Sequence, residues 1–233
     1  MPSTTYQERR GQLTTYFDRT ASEAWKRLTS DAPVSGIRAT VRAGREEMRA
    51  TLLDWLPADL HGRRLLDAGC GTGALAVEAA RRGAHVVAID VAASLVDMAR
   101  ERAEGQTGDG TVEFKVGDML DPALGSFDHV VAMDSLIHYH APDIVNVLAT
   151  LADRTRHSVV FTFAPRTILL AAMHAAGKFF PRSDRAPAIE PVAEKTLLRL
   201  IDGNPALSAW QAGRTRRIVR GFYTSQALEL VPR

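Results

Sequence analysis

Residues 63–74 read Arg63-Arg64-Leu65-Leu66-Asp67-Ala68-Gly69-Cys70-Gly71-Thr72-Gly73-Ala74, a short apolar run that ends in an acid and three glycines at alternate positions. The run predicts a buried strand, the glycines a tight turn, and the Ala-rich stretch Ala74 to Arg82 a helix. Glycine opens backbone angles closed to other residues and leaves no side chain to bar a ligand. The first N–H groups of the helix have no intrahelical partner and face whatever lies over the turn. Such a turn is weak evidence alone, because Gly69-x-Gly71-x-x-Ala74 also fits a dinucleotide pattern.

Two further anchors decide between the readings. Ala84-His-Val-Val-Ala-Ile-Asp90 is an apolar strand ending in an acid, 17 residues after Gly73. An acid at the tip of the second strand is placed to accept hydrogen bonds from ribose hydroxyls. Val112-Glu-Phe-Lys-Val-Gly-Asp118-Met119 repeats the pattern, and Asp67 before the first glycine is unusual for a dinucleotide site. Three ordinary strand-end acids would not be expected in this order and spacing. Together these positions resemble the class I S-adenosylmethionine (SAM)-dependent methyltransferases. The resemblance implies an α/β fold, a Rossmann-like seven-stranded sheet with helices on both faces. It also implies that Asp67, Gly69, Cys70, Gly71 and Gly73 pass the amino acid moiety of SAM. Asp90 would hold the ribose, and Asp118 with Met119 would meet the adenine.

The chain has 233 residues, long enough for one generous domain with a sizeable core. Its 45% hydrophobic and 24% charged residues are ordinary for a soluble globular protein. A net charge of +2 is too small to point to nucleic acid as the main partner. The local run Arg214-Thr-Arg-Arg217 with Arg220 alternates like a solvated strand face and predicts an exposed edge rather than an anion site. No unbroken apolar stretch reaches transmembrane length, and Met1 to Arg10 lacks the apolar core of a signal peptide. The single cysteine, Cys70, excludes an internal disulfide and a multi-thiolate metal site, and it points to a reducing cytoplasm. Inside the glycine turn it reads as a small packing residue.

Residues 1–60 carry no strand pattern and predict a helical arm: Tyr6 to Phe17, Ala21 to Leu28, and Ala39 to Leu56 before Pro57. From residue 61 onward strands alternate with helices, which predicts a parallel sheet covered on both faces. The expected strands are 63–67, 85–89, 112–116, 127–133 and 157–163, with helices near 74–82, 93–104, 141–153 and 191–202. Two tail strands are expected at about 206–213 and 215–231, the second broken near Thr224. Residues 164–190 form an insertion, an apolar helix (Ile168 to Ala176) followed by Phe179-Phe-Pro-Arg-Ser-Asp-Arg. It emerges where ligands of open α/β sheets bind, and it reads as a lid over a large apolar substrate.

The fourth strand runs into Asp134-Ser-Leu-Ile-His138-Tyr139-His140. In this fold that turn lies beside the sulfonium, so Asp134 counts with the cofactor site and His138 faces the methyl acceptor. The Asn/Asp-Pro-Pro-Tyr/Phe tetrapeptide of amino-group methyltransferases is absent, which weakens a nitrogen acceptor. This turn, with Phe163-Ala-Pro-Arg166-Thr, Tyr16-Phe-Asp, Trp25-Lys-Arg and Val41-Arg-Ala-Gly-Arg, resembles the magnesium-protoporphyrin IX O-methyltransferases of chlorophyll and bacteriochlorophyll synthesis. The likeness spans nearly the whole chain. Leu28-Thr29 departs from the family pattern after Trp-x-Arg, so no tyrosine role carries over there. The resemblance implies Mg-protoporphyrin IX as substrate, lined by Tyr16, Trp25, Tyr139 and Arg166, with its Mg²⁺ carried by the macrocycle and no metal bound by the protein. His138, His140 and His174 are candidates to cap that Mg²⁺. The family also suggests the large porphyrin-binding subunit of magnesium chelatase as a partner and loose association with the photosynthetic membrane. The propionate acceptor is ionised near neutrality, with a pKa of about 4.3, so His138 reads as an orienting residue more than a base. Competing readings are methylation of another small acceptor, such as a phenol or quinone precursor, and a non-catalytic SAM- or porphyrin-binding carrier.

Overall fold

A computed structural model describes residues 3–20, 36–166 and 188–233. Its spine is a seven-stranded sheet in the order β3-β2-β1-β4-β5-β7-β6. The strands are β1 Arg64–Ala68, β2 His85–Asp90, β3 Thr111–Val116, β4 Phe127–Ala132, β5 Thr155–Phe163, β6 Trp210–Arg220 and β7 Tyr223–Pro232. The first five pair in parallel, and β7 runs antiparallel to both β5 and β6. Central strands buried on both faces are near-continuous apolar runs, and β4 shows this as six buried residues in succession.

Helices α1 Thr4–Thr15, α2 Gly36–Asp54, α3 Ala74–Arg81, α4 Ala93–Ala103, α5 Ala141–Ala152 and α6 Glu194–Asp202 flank the sheet. The core divides into two clusters, one on each face. Leu66, Val130, Phe161 and Leu228 meet α5 and α6 through Ile144, Leu148 and Leu197. Leu65, Val86, Val131 and Val160 meet α2 and α3 through Met48, Leu52, Leu75 and Ala79. Alternation along each strand sends neighbouring residues, such as Leu65 and Leu66, to opposite faces.

Two expectations for the tail need correction. Residues 205–207 form a single 3₁₀ turn rather than the start of a strand, with Asn204 capping it through the N–H of Ala206. The break expected between residues 213 and 215 is a register irregularity within β6, between Ala212 and Thr215, and the chain turns at Gly221-Phe222, beside the break expected near Thr224. As an edge strand, β6 is exposed along most of its length and carries no hydrophobic alternation that marks its limits. Its arginines pair locally, Arg214 with Glu229 and Arg216 and Arg220 with Glu47, as a solvated edge would. The expected helix at Ala21 to Leu28 and most of the insertion lie outside the described residues.

Candidate active site

Strand order reverses direction where β1 lies between β2 and β4, and in open α/β sheets the crevice beyond that point takes the ligand. The glycine turn sits there. Gly69 has φ 87°, and a Cβ on it would stand 2.3 Å from the Cβ of Ser135, so the loop after β1 touches the loop after β4. The N–H groups of Gly69 and Cys70 donate to the Ile89 carbonyl at 2.8 and 3.0 Å, tying the loop to β2. Gly73, also at positive φ, begins α3 with no side chain over the free N–H groups of its first turn. Burial, with Asp67 and Asp90 nearby, pushes the Cys70 thiol well above its ordinary range. It stays protonated, which suits packing and not nucleophilic attack.

Asp67 is 2% exposed, and its Oδ2 has no hydrogen-bond partner. Burial first, then the Asp90 carboxylate, raises its pKa to about 7. The buried hydroxyl of Ser135 likewise lacks a partner. Leaving such a group unsatisfied costs about 1–3 kcal/mol, so both atoms call for a polar ligand in the loop. At the tip of β2, Asp90 accepts from the N–H of Gly71 at 2.9 Å and of Ala92 at 3.0 Å. It therefore shapes the glycine turn as well as facing the crevice. Burial raises its carboxyl from the usual range.

Beyond the end of β3, Asp118 accepts from the hydroxyl of Tyr6 at 2.7 Å, from the Leu120 N–H at 2.9 Å, and from Arg10. Tyr6 also stacks on Tyr139, with centroids 4.9 Å apart and planes 20° from parallel. Met119, next to Asp118, is buried in the same cluster. Helix α1 is thus strapped across this end of the sheet. Other contacts pin it: the Ser3 and Thr5 hydroxyls donate to Asp143, Arg9 pairs with Glu190 at 2.8 Å, and Asp18 accepts from the Ser94 N–H at 3.1 Å. Tyr6, Arg9 and Arg10 were not expected at the site. Tyr6 and Leu13 share one helical stripe at i and i+7, and that is the one signal the sequence offers.

Beyond the end of β4, Met133 leads into Asp134, whose carboxylate is filled by Arg45, Tyr223, Ser225 and Thr162. Leu136–His138 form a 3₁₀ turn, and His138 is buried with Nδ1 3.3 Å from the Ala188 carbonyl. Phe17 lies edge-on to that imidazole at 6.4 Å between centroids, and Tyr16 lies edge-on to Phe17 at 5.2 Å. The arm, the turn after β4 and the last described residues of the insertion therefore meet around His138. Arg166 is exposed, its backbone N–H joined to the Val192 carbonyl at 3.0 Å. His140 is exposed and 3.4 Å from Glu190. Trp25 and His174 lie outside the described residues. Among the described residues no three His, Cys, Asp or Glu side chains gather as metal ligands.

Comparison with known proteins agrees with this geometry. Residues 132–232 match the family described as magnesium-protoporphyrin IX methyltransferase C-terminus, and residues 65–158 match a methyltransferase domain. The chain is 52% identical to the magnesium-protoporphyrin O-methyltransferase of Rhodobacter capsulatus, covering all of both chains. It is 29% identical to the Synechocystis enzyme of the same name over 93% of each chain. The crystal structure of Synechocystis magnesium protoporphyrin IX methyltransferase with bound SAH superposes with a TM-score of 0.83 at 26% identity, covering 96% of this chain and 99% of that one. The sheet order, the glycine turn and this full-length likeness make the chain a member of the magnesium-protoporphyrin O-methyltransferase family.

Proposed function

We propose that this SAM-dependent methyltransferase esterifies a propionate carboxylate of Mg-protoporphyrin IX, giving the monomethyl ester of bacteriochlorophyll synthesis. The observation that carries the reading is full-length identity of 52% with a magnesium-protoporphyrin O-methyltransferase. The donor fits the residues present. The unpartnered Oδ2 of Asp67 and hydroxyl of Ser135 suit the polar amino acid end of SAM. Asp90 suits the ribose, and the glycine turn leaves room for the sulfur chain.

When bound, SAM supplies an electrophilic methyl group on a sulfonium. The protein's part is then alignment and exclusion of water. A carboxylate acceptor is ionised well below neutral pH, so no strong base is required. Because two opposite charges annihilate in the reaction, displacing water around them strengthens every fixed contact in the site. His138 would orient the carboxylate, with Tyr139, Tyr16 and Phe17 forming the wall on the arm side. Arg166, exposed beside the start of the insertion, extends the proposed substrate surface, and Trp25 is proposed as a substrate contact from the sequence resemblance alone. The large subunit of magnesium chelatase and the photosynthetic membrane are the proposed source and setting of the substrate. No helix among the described residues is long and apolar enough to cross a membrane.

The test is incubation with SAM and Mg-protoporphyrin IX, followed by mass analysis for the monomethyl ester. Ester formation supports the reading. SAM binding without ester points to another acceptor, and binding of both without turnover points to a carrier.

A further inference from the structure

We infer that Asp134 is a positioning residue, the keystone that fixes the acceptor turn against the glycine loop, and not a ligand of the cofactor. This inference rests on the methyl-transfer reading and deepens it.

Asp134 is the one non-glycine residue at positive φ among the described residues, with φ 53°. A left-handed conformation costs a side chain about 1–3 kcal/mol and persists only where the surroundings over-determine it. Here they do. Thr162, at the end of β5, accepts from the Asp134 N–H at 2.7 Å and donates to its Oδ1 at 3.2 Å. Ser225 on β7 donates to the same oxygen at 3.2 Å. Tyr223, the first residue of β7, donates to the carboxylate at 3.1 Å, and Arg45 on α2 closes Oδ2 at 2.6 Å. Four donors from three elements thus meet a carboxylate whose capacity is about four hydrogen bonds. The contrast with Asp67, which keeps an unpartnered oxygen in the same crevice, is direct.

What the anchor fixes lies one residue on. Ser135 packs against Gly69 so closely that a Cβ on the glycine would stand 2.3 Å away, and the 3₁₀ turn ending at His138 follows at once. The direction in which the chain leaves residue 134 therefore sets the aim of His138, while the glycine loop keeps its own ties to the Ile89 carbonyl and Asp90. Arg45 and Tyr223 reach it from 89 positions away in either direction. The packing of α2 and of the antiparallel strand β7 is thereby coupled to the reacting end of the site.

The experiment compares Tyr223→Phe, Asp134→Asn, Asp134→Gly and Asp134→Ala for SAM affinity by calorimetry, for kcat and acceptor KM, and for thermal stability. Glycine accepts the left-handed conformation freely, so Asp134→Gly is expected to be more stable than Asp134→Ala yet no faster. Tyr223→Phe and Asp134→Asn are expected to leave SAM affinity within about threefold while kcat falls about tenfold to a hundredfold, the scale of a misplacement near 1 Å. A tenfold loss of SAM affinity at preserved kcat would make Asp134 a cofactor ligand and overturn the inference. Full kcat in both Tyr223→Phe and Asp134→Gly would reduce the network to inert packing. Where the Asp134 variants do not fold, Tyr223→Phe alone decides. A wild type that forms no ester sinks the acceptor reading instead. The network is then read from the His138 imidazole resonance, expected to move in Tyr223→Phe and unmoved if the inference is wrong.

Discussion

The hydroxyl of Tyr6 donates a 2.7 Å hydrogen bond to Asp118, joining residues 112 positions apart and laying the N-terminal helix over the acid at the end of β3. Burial, with Tyr139 and Asp118 beside it, raises the Tyr6 hydroxyl above its ordinary range, so it stays a donor at all working pH. In the proposed donor site the same carboxylate would meet the adenine. The arm holds that side chain, and on this proposal the cofactor would share it.

Tyr6→Phe is expected to lower stability by about 1–3 kcal/mol, the cost of a lost hydrogen bond to a charged group. Its SAM dissociation rate should rise as well, because the helix that covers the site is held less firmly. Urea denaturation and stopped-flow SAM release check the two effects. Unchanged values in both would make α1 a passive appendage.

Asp67 gives a pH dependence with a definite sign. Its native pKa of about 7 lies above the ordinary 3.8 because of burial and Asp90. Between those values the native state holds a proton that the unfolded chain has lost. Stability of the ligand-free protein therefore falls as pH rises through that window. An ammonium arriving beside the orphaned oxygen favours the ionised form, so SAM affinity should increase with pH up to about 7. Asp67→Asn should flatten both trends. Denaturation midpoints and calorimetry from pH 4 to about 8 provide the comparison, and identical slopes in wild type and variant would remove Asp67 from the donor site.

The glycine loop predicts opposite outcomes at adjacent positions. Gly69→Ala places a methyl 2.3 Å from Ser135 at φ 87°, so the loop or the acceptor turn must move. SAM affinity should fall tenfold or more, by about 1.4 kcal/mol at least. Cys70→Ala should keep near-normal affinity and activity, since its protonated thiol donates only weakly, to the Gly71 carbonyl at 3.8 Å. Rapid alkylation of Cys70 at neutral pH would contradict the packing role.

The parts of this site that were legible in the sequence are those with a local cause. Asp67 and Asp90 close apolar runs, and a parallel strand buried on both faces is such a run, so these acids fall at the tips of β1 and β2. The half-exposed edge strand β3 shows as the alternation Val112-Glu-Phe-Lys-Val that ends just before Asp118. The turn at Gly221-Phe222 was legible only as a break placed near Thr224. On the exposed edge strand the arginine run carries no burial pattern, and an irregularity at Ala212 to Thr215 imitates a break. The polar pairings Tyr6–Asp118 and Arg45–Asp134 were not legible, since they have no period and depend on elements that meet only after folding. Asp134 illustrates the limit well. Its place after the fourth strand suggests a cofactor ligand, while its four protein donors come from residues scattered over α2, β5 and β7.

His138 makes the last prediction, and its hydrogen bond decides the sign. Its Nδ1 lies 3.3 Å from the Ala188 carbonyl, an oxygen that only accepts, so this contact requires the proton on Nδ1. With that proton placed, Nε2 of the neutral ring carries a lone pair and can donate to a propionate only when the ring is cationic. An orienting His138 therefore acts best as the cation, whereas a general base acts best as the neutral ring. Since the acceptor is already ionised, we expect kcat to decline as pH rises through the histidine titration. His138→Ala should lower the rate about tenfold to a thousandfold, leave SAM affinity nearly intact, and abolish that decline. A pH–rate series with saturating SAM on wild type and variant makes the measurement. A wild-type rate that climbs with pH, with the climb lost in His138→Ala, would assign the residue as base. A variant as fast as wild type at every pH would reduce it to packing between Phe17 and Ala188, and leave Tyr139 as the residue to test next.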